Sequence, residues 1–314
     1  MWFANTPERV FINEVSVRDG FQIEPRFVPT EQKIALIDAL SATGLSKIEI
    51  TSFVSPKAIP NLRDAEAVAR QIRRHEDVTY VALVPNARGC ERALECGLDE
   101  INLVMSVSET HNLANMRMTC EQSLAQFHGV MDLSRGTGLS VSGCVATAFG
   151  CPFEGEIAPD RVRRAVERYL GMGMLAITLA DTTGMADPRQ VGELVSAFRD
   201  WFPGVPLTLH FHNTRGMGLA NVLAGLAAGA TSFDASLGGL GGCPFAPGAT
   251  GNICTEDLVH MLEFSGIPTG VDLDQLLGIA RALPEIVGHD VSGQVLKAGK
   301  RTERHQVPSV GAGQ

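Results

Sequence analysis

A chain of 314 residues with 45% hydrophobic and 19% charged residues has the apolar material for a large core, which excludes long disorder, collagen and coiled-coil architectures. Its 26 Lys and Arg against 35 Asp and Glu leave a formal net charge of −9, which argues against broad nucleic-acid binding. The length alone suits either two domains or a single α/β barrel.

The start, residues 1–9, has no charged region followed by an apolar stretch, so it reads as neither a signal nor a transit peptide. No apolar run reaches the roughly 18 residues of a membrane span, so no membrane partner is expected. The seven cysteines are odd in number and lack C-x-x-C spacing. They read as reduced, buried thiols, which places the protein in the cytoplasm.

In chain order, one unit recurs: an amphipathic helical stretch ends in Gly and a short β-rich run follows. Gly44 precedes a strand at 47–53, Gly97 one at 100–105, and Gly138 one at 140–145. Gly173 precedes 175–179, Gly204 precedes 207–212, and Gly229 precedes 232–236. Glycine is the usual residue just past a helix because it accepts positive φ. Strands at 10–17 and 78–84, the latter after a helix near 65–74, complete eight βα units. Strands alternating with helices imply a parallel sheet.

The strands alternate polar and apolar residues, unlike the continuous apolar runs of open sheets covered on both faces. Ile48 and Ile50 alternate with Glu49 and Thr51; Leu207, Leu209 and Phe211 alternate with Thr208, His210 and His212. In the first strand, Val15 and Val17 alternate with Glu14, Ser16 and Arg18. Apolar residues facing outer helices and polar ones facing a shared interior describe a closed (β/α)₈ TIM barrel. No Gly-x-Gly-x-x-Gly follows the first strand, which removes the dinucleotide fold. Helices at 255–264 and 273–287 form a short C-terminal extension, and a loose, basic tail is expected from Lys297. One catalytic domain over 1–287, followed by a flexible 288–314, is the expected organisation.

Chemistry in such barrels sits at the carboxyl ends of the strands. Two imidazoles at 210 and 212 point the same way on one strand, and imidazole is the commonest metal ligand. Arg18-Asp19-Gly20 ends the first strand with a group for an anion and a group for a cation. Glu49 lies on an interior face and needs a partner, for which Arg18 is the economical choice. Asp181 ends the sixth strand, too early to cap the helix that starts near Asp187. The glycine-rich stretch 238–252 reads as a mobile loop over the site, and Cys243 within it is placed for acid–base work. Asp19, His210, His212 and the Asn252 amide oxygen together make a mixed oxygen and nitrogen set without thiolate, suited to Mg²⁺ or Mn²⁺.

Several segments carry a family resemblance: Glu14-Val-Ser-Val-Arg-Asp-Gly-Phe-Gln22, Ile48-Glu-Ile-Thr-Ser-Phe-Val-Ser-Pro56, Gly150-Cys-Pro-Phe-Glu-Gly155, Asp181-Thr-Thr-Gly184, His210-Phe-His-Asn-Thr-Arg-Gly216 and the glycine-rich loop. The chain resembles the 3-hydroxy-3-methylglutaryl-CoA lyases, metal-dependent barrel lyases, from about residue 13 to about residue 274. Gly239-Leu-Gly-Gly-Cys-Pro-Phe245 looks like the signature of that branch. The resemblance implies metal ligation by Asp19, His210, His212 and Asn252, and polarisation of a thioester oxygen by Arg18. It implies proton transfer by Cys243 and supporting roles for Glu49 and Asp181, with Arg18, Gln22 and Thr178 against the substrate. An acyl-CoA partner and a homodimer follow from the same resemblance.

The implied reaction is a retro-Claisen cleavage to acetyl-CoA and a keto acid, acetoacetate for the parent substrate. The chain departs from the family pattern at Ser16-Val17, where Gly-Pro is usual, and at Ile23-Glu24-Pro25, where Asn-Glu-Lys is usual. Arg26 is the residue placed to compensate for the missing Lys. These departures keep a related 3-hydroxyacyl-CoA such as citramalyl-CoA as the alternative substrate. A Claisen-condensing synthase would carry a longer C-terminal extension, and a non-catalytic metal-binding paralogue would not need every polar role filled.

Overall fold

The computed structural model describes residues 7–242 and 251–304. Eight parallel strands close on themselves in sequence order. They are β1 Phe11–Glu14, β2 Lys47–Ser52, β3 Thr79–Leu83, β4 Glu100–Ser106, β5 Ser140–Ala146, β6 Ala176–Asp181, β7 Leu207–Phe211 and β8 Ser232–Ala235. Closure is made where Asn13 pairs with Lys47 on one side and Asp234 on the other. The six glycines read as helix stops all adopt positive φ, from 64° at Gly97 to 100° at Gly173. The chain can therefore reverse from helix into strand without the strain a Cβ would bring there.

Helices α1 Thr30–Ser41, α2 Ala65–Gln71, α3 Ala87–Leu94, α4 Glu109–Met116, α5 Cys120–Ser134, α6 Pro159–Met172, α7 Pro188–Trp201 and α8 Gly218–Ala227 surround the sheet. The core lies between sheet and helices. Ile48, Ile50, Leu179, Leu209, Phe211 and Phe233 pack there with Leu36, Val166, Val195 and Phe198. Removing one such side chain, Phe211→Ala for example, would cost roughly 3–5 kcal/mol of transfer and cavity energy. Helix starts carry the expected caps: Asn86, Ser108 and Asp187 accept backbone N–H groups, and Thr119 with Gln122 forms a capping box.

The first strand is shorter than its alternation suggested. It stops at Glu14, and Ser16–Gly20 form a single wide helical turn in which the Asp19 amide bonds to the Val15 carbonyl at 2.7 Å. Asn13 is the residue that reaches the barrel interior, where it bonds Asp234 and Ser232. Glu14 is fully buried outside it, accepting bonds from the Ser16 and Leu237 amides and the Thr255 hydroxyl. Arg18 and Asp19 are thus aimed by a turn and not by strand pleat.

The C-terminal extension holds α9 Thr255–Phe264, α10 Leu273–Ala280, α11 Leu283–Val287 and α12 Gln294–Ala298. The stretch read as one helix at 273–287 is two, with Pro284 in the first turn of the second. The stretch expected to be loose is packed as far as it is described. Asp257 accepts the Gln294 and Val295 amides, the Ser292 amide bonds the Gly238 carbonyl, and Lys300 pairs with Asp274. Residues 305–314 lie outside the described residues. Among those described, no helix is long and apolar enough to cross a membrane. Of the six described cysteines, five are buried, Cys120 is half-buried, and none is in a disulfide.

Candidate functional site

Three elements meet at the carboxyl end of the barrel: the wide turn after β1, the end of β7, and the returning stem of the glycine-rich loop. Gly251–Cys254 runs along that end, where the Ile253 amide bonds the Phe211 carbonyl and the Asn213 amide bonds the Gly251 carbonyl. This stem sets Asn252 opposite His212. The outgoing stem passes close by at Gly241, whose φ is +106°. A Cβ there would lie 2.5 Å from Asn252 Nδ2 and 3.0 Å from Asp19 Oδ2, so only glycine leaves this space open. Both stems are held by Glu14, which accepts from Leu237 before the loop and from Thr255 after it. Cys243 lies outside the described residues.

Asp19, His210 and His212 are all buried, and one ligand atom from each lies within 4.8 Å of the others. Two metal–oxygen bonds of ~2.1 Å on opposite sides of one ion span about 4.2 Å. The cluster is therefore close to the size of a shared cation site. Asn252 Nδ2 donates to Asp19 Oδ2 at 2.7 Å and to the Leu240 carbonyl at 3.0 Å. Its Oδ1 is buried without a partner, as is His212 Nδ1. The two ends of an amide differ by a half-turn about one bond, so Asn252 has an oxygen to offer.

Arg18 joins Asp19 to Glu49, with Nη1 2.7 Å from Asp19 Oδ1 and Nη2 2.5 Å from Glu49 Oε2. The pairing read from the sequence is present, and β2 carries a register irregularity beside Glu49 that bends the strand there. Gln22 Nε2 donates to the Asp19 oxygen that Arg18 also holds, at 3.2 Å. Burial raises the Asp19 carboxyl, but the Arg18 guanidinium, helped by the two imidazoles where they are protonated and by the Asn252 amide, outweighs it and holds the pKa below the ordinary range. Burial wins at Glu49, whose pKa is raised despite Arg18. Burial and the neighbouring His210 push His212 down to about 4, which leaves it neutral with a lone pair to give. Three carboxylates, Asp19, Glu49 and Asp234, share this pocket with one guanidinium, and each shifts a neighbour's charge state. The set is short of positive charge, and with lone pairs already converging it fits a bound cation.

Asp181 is 1% exposed; its Oδ1 accepts the Met185 amide at 2.7 Å, so it organises the turn after β6. Its Oδ2 is buried without a partner, and burial pushes its pKa up to about 6. Thr178 pairs with Cys144 and Thr208 in the polar register of the interior. Arg26 donates to the Val287 carbonyl and packs over Gly288, on the C-terminal helices. Asp234 and Asn13 escaped the sequence reading although they border the cluster: Asp234 Oδ2 lies 3.2 Å from His210 Nδ1. The signal was present in Ser232-Phe-Asp-Ala235, an alternation with an inward acid.

A closed (β/α)₈ barrel with a buried acid and two imidazoles at the carboxyl ends of its strands defines a barrel enzyme. The HMGL-like family model matches residues 9–283, and the chain belongs to that family, whose named relatives are carbon–carbon lyases. It is 46% identical to the hydroxymethylglutaryl-CoA lyase of Bacillus subtilis, over 94% of this chain and 98% of that protein. It is 42% identical to the (R)-citramalyl-CoA lyase of Chloroflexus aurantiacus, over 93% and 95% respectively. Among solved structures, an HMG-CoA lyase from Acinetobacter baumannii in complex with coenzyme A and 3-methylmalate superposes with a TM-score of 0.93 and is 57% identical. That match covers 96% of this chain and 98% of the other.

Proposed function

We propose that this chain cleaves 3-hydroxy-3-methylglutaryl-CoA, or a close analogue, to acetyl-CoA and a keto acid by a metal-dependent retro-Claisen reaction. The observation that carries the reading is the buried convergence of Asp19, His210 and His212 beside the Arg18–Glu49 pair. Those three residues with Asn252 would hold a divalent ion, Mg²⁺ or Mn²⁺ by the hardness of the donors, and the ion supplies Lewis acidity to the substrate hydroxyl and carbonyl. Arg18 is held from behind by Glu49 and Asp19, so its guanidinium is already oriented for the oxygen on which enolate charge grows. Gln22 and Thr178 line the substrate side. Asp181 supports the turn beside His210, and its free Oδ2 faces no protein donor among the described residues.

A base takes the C3 hydroxyl proton as C2–C3 breaks, so that C3 becomes the ketone of the keto acid and the bonding pair leaves as the enolate of acetyl-CoA, which then takes one proton on carbon. Cys243, which lies outside the described residues, is assigned that delivery on the family resemblance. An unchanged kcat in Cys243→Ala would remove the assignment. The barrel with its C-terminal helices, residues 1–287, is read as one catalytic unit acting as a cytoplasmic homodimer. A second reading, cleavage of the shorter citramalyl-CoA, is favoured by Pro25 standing where the family usually has Lys and by Arg26 being bonded to Val287 instead. Its support among relatives is the Chloroflexus enzyme and the 3-methylmalate bound in the Acinetobacter structure.

The test is a panel of 3-hydroxyacyl-CoA thioesters with purified protein and Mg²⁺, reading acetyl-CoA release with and without chelator. The proposal expects chelator-sensitive turnover fastest on 3-hydroxy-3-methylglutaryl-CoA; fastest turnover on citramalyl-CoA supports the second reading. Turnover indifferent to chelator contradicts both.

A further inference from the structure

His210 and His212 are two residues apart on one strand, yet the protein holds their rings differently. His212 Nδ1 is buried with no partner, and its Nε2 lies 3.8 Å from Asp19 Oδ2. His210 Nδ1 is 3.2 Å from Asp234 Oδ2. A neutral imidazole has one N–H and one lone pair, and an ionised carboxylate only accepts. Facing Asp234, Nδ1 must therefore carry the hydrogen, which leaves the lone pair on Nε2.

Asp234 is itself pinned. Its other oxygen accepts from Asn13 Nδ2 at 2.9 Å, and the same amide reaches Ser232 Oγ at 3.2 Å, which lies 3.0 Å from Thr208 Oγ1. The backbone register explains why these side chains meet. His210 is the direct cross-strand partner of Asp234 on β7, and Asn13 is its partner on β1. One row across three strands thus reads amide, carboxylate, imidazole. Strands fix it, in contrast to Asn252, which comes from a loop stem. Among the described residues no Lys or Arg pairs with Asp234, so its ion-pair contact is with His210 alone. A half-buried acid retained without a Lys or Arg partner, bonded to a residue of the candidate centre, is an arrangement that orients a ligand.

We propose that Asp234, braced by Asn13, is the positioning residue for His210: it keeps the ring hydrogen on Nδ1 and turns the Nε2 lone pair toward the centre shared with Asp19 and His212. The inference deepens the metal-dependent reading and rests on it for its consequence, tighter ion binding. In Asp234→Asn the amide oxygen can keep Asn13 while the NH2 faces His210 Nδ1, a donor that favours the lone pair on Nδ1 and the ring hydrogen on Nε2. In Asn13→Ala the charge of Asp234 stays and only its brace goes.

The experiment has two readouts on wild type, Asp234→Asn and Asn13→Ala. Nitrogen-15 NMR of the imidazoles in metal-free protein, at a pH where they are neutral, reports which nitrogen of His210 carries hydrogen. Mn²⁺ titration followed by electron paramagnetic resonance reports affinity. The proposal expects the Nδ1–H form of His210 in wild type, loss of that preference in Asp234→Asn, and a 10–100-fold weaker Mn²⁺ Kd. Asn13→Ala is expected to shift both in the same direction by a few-fold, and it carries the test if Asp234→Asn does not fold. An unchanged His210 tautomer with Kd within about twofold of wild type would overturn the proposal. Failure of wild type to bind Mn²⁺ at all would count against the metal reading, and the tautomer result alone would then decide whether Asp234 orients the ring.

Discussion

The two ends of the barrel interior treat polar groups in opposite ways. Toward the amino ends of the strands most of them pair off, Asn102 Oδ1 excepted. Lys47 Nζ contacts both oxygens of Glu100 at 2.8 and 2.7 Å, Ser142 donates to Glu100, and Thr208, Ser232 and Asn13 form a chain. Toward the carboxyl ends, partnerless buried atoms accumulate: Glu49 Oε1, Asp181 Oδ2, His212 Nδ1 and Asn252 Oδ1. Each such atom costs about 1–3 kcal/mol when water is excluded. A fold that satisfies one end and leaves the other wanting has the polarity of a receptor, with the missing partners supplied by what binds.

That contrast can be broken by substitution. The largest effect is expected at the carboxyl end, where Arg18→Met should lower kcat by about 10²–10³ through the lost oxyanion donor. It should also destabilise the fold by roughly 3–5 kcal/mol, because Glu49 would be left buried without its partner. Steady-state kinetics and urea melts read the two effects separately. A variant that kept wild-type kcat would remove Arg18 from the chemistry.

Asp181→Asn should act in the reverse sense on stability. The folded pKa of about 6 lies above the ordinary 3.8, so the ionised form is disfavoured in the folded state. That penalty is fully present above about pH 6 and is gone once pH falls below the unfolded value. The substitution is therefore expected to stabilise chelator-treated protein by up to ~3 kcal/mol at pH 8 and by less than ~1 kcal/mol near pH 4, while activity falls. Thermal melts at the two pH values check this, and a gain equal at both would contradict it. The smallest effect is expected at the amino end. Lys47→Met strands Glu100 beside a half-exposed position, at roughly 1–2 kcal/mol in melting, with kcat per folded molecule unchanged. A fall in kcat there would mean that the two ends are not separable.

Most of the barrel was legible in the chain. The glycine before each strand and the two-residue alternation of β2 and β7 reflect local rules, helix termination and pleat, that tertiary packing does not override. The pairing of Arg18 with Glu49 was legible because a buried carboxylate needs a cation and one was within reach. The turn Ser16–Gly20 was not. A polar–apolar alternation can belong to a strand or to a wide helical turn, and here the buried Glu14 carboxylate, satisfied by Ser16, Leu237 and Thr255, decides for the turn. Asp234 and Asn13 were missed because their role depends on cross-strand register, which links β1 to β8 across almost the whole chain. The packing of the described part of the C-terminal stretch was not legible, because composition does not reveal that Asp257 would cap α12 from another helix.

The most direct measurement is an anomalous difference map at the manganese absorption edge, from crystals soaked in Mn²⁺ at neutral pH. A single strong peak bonded to Asp19, His210 and His212 is the result expected here. Full-occupancy side chains with no peak between them, at saturating Mn²⁺, would contradict it.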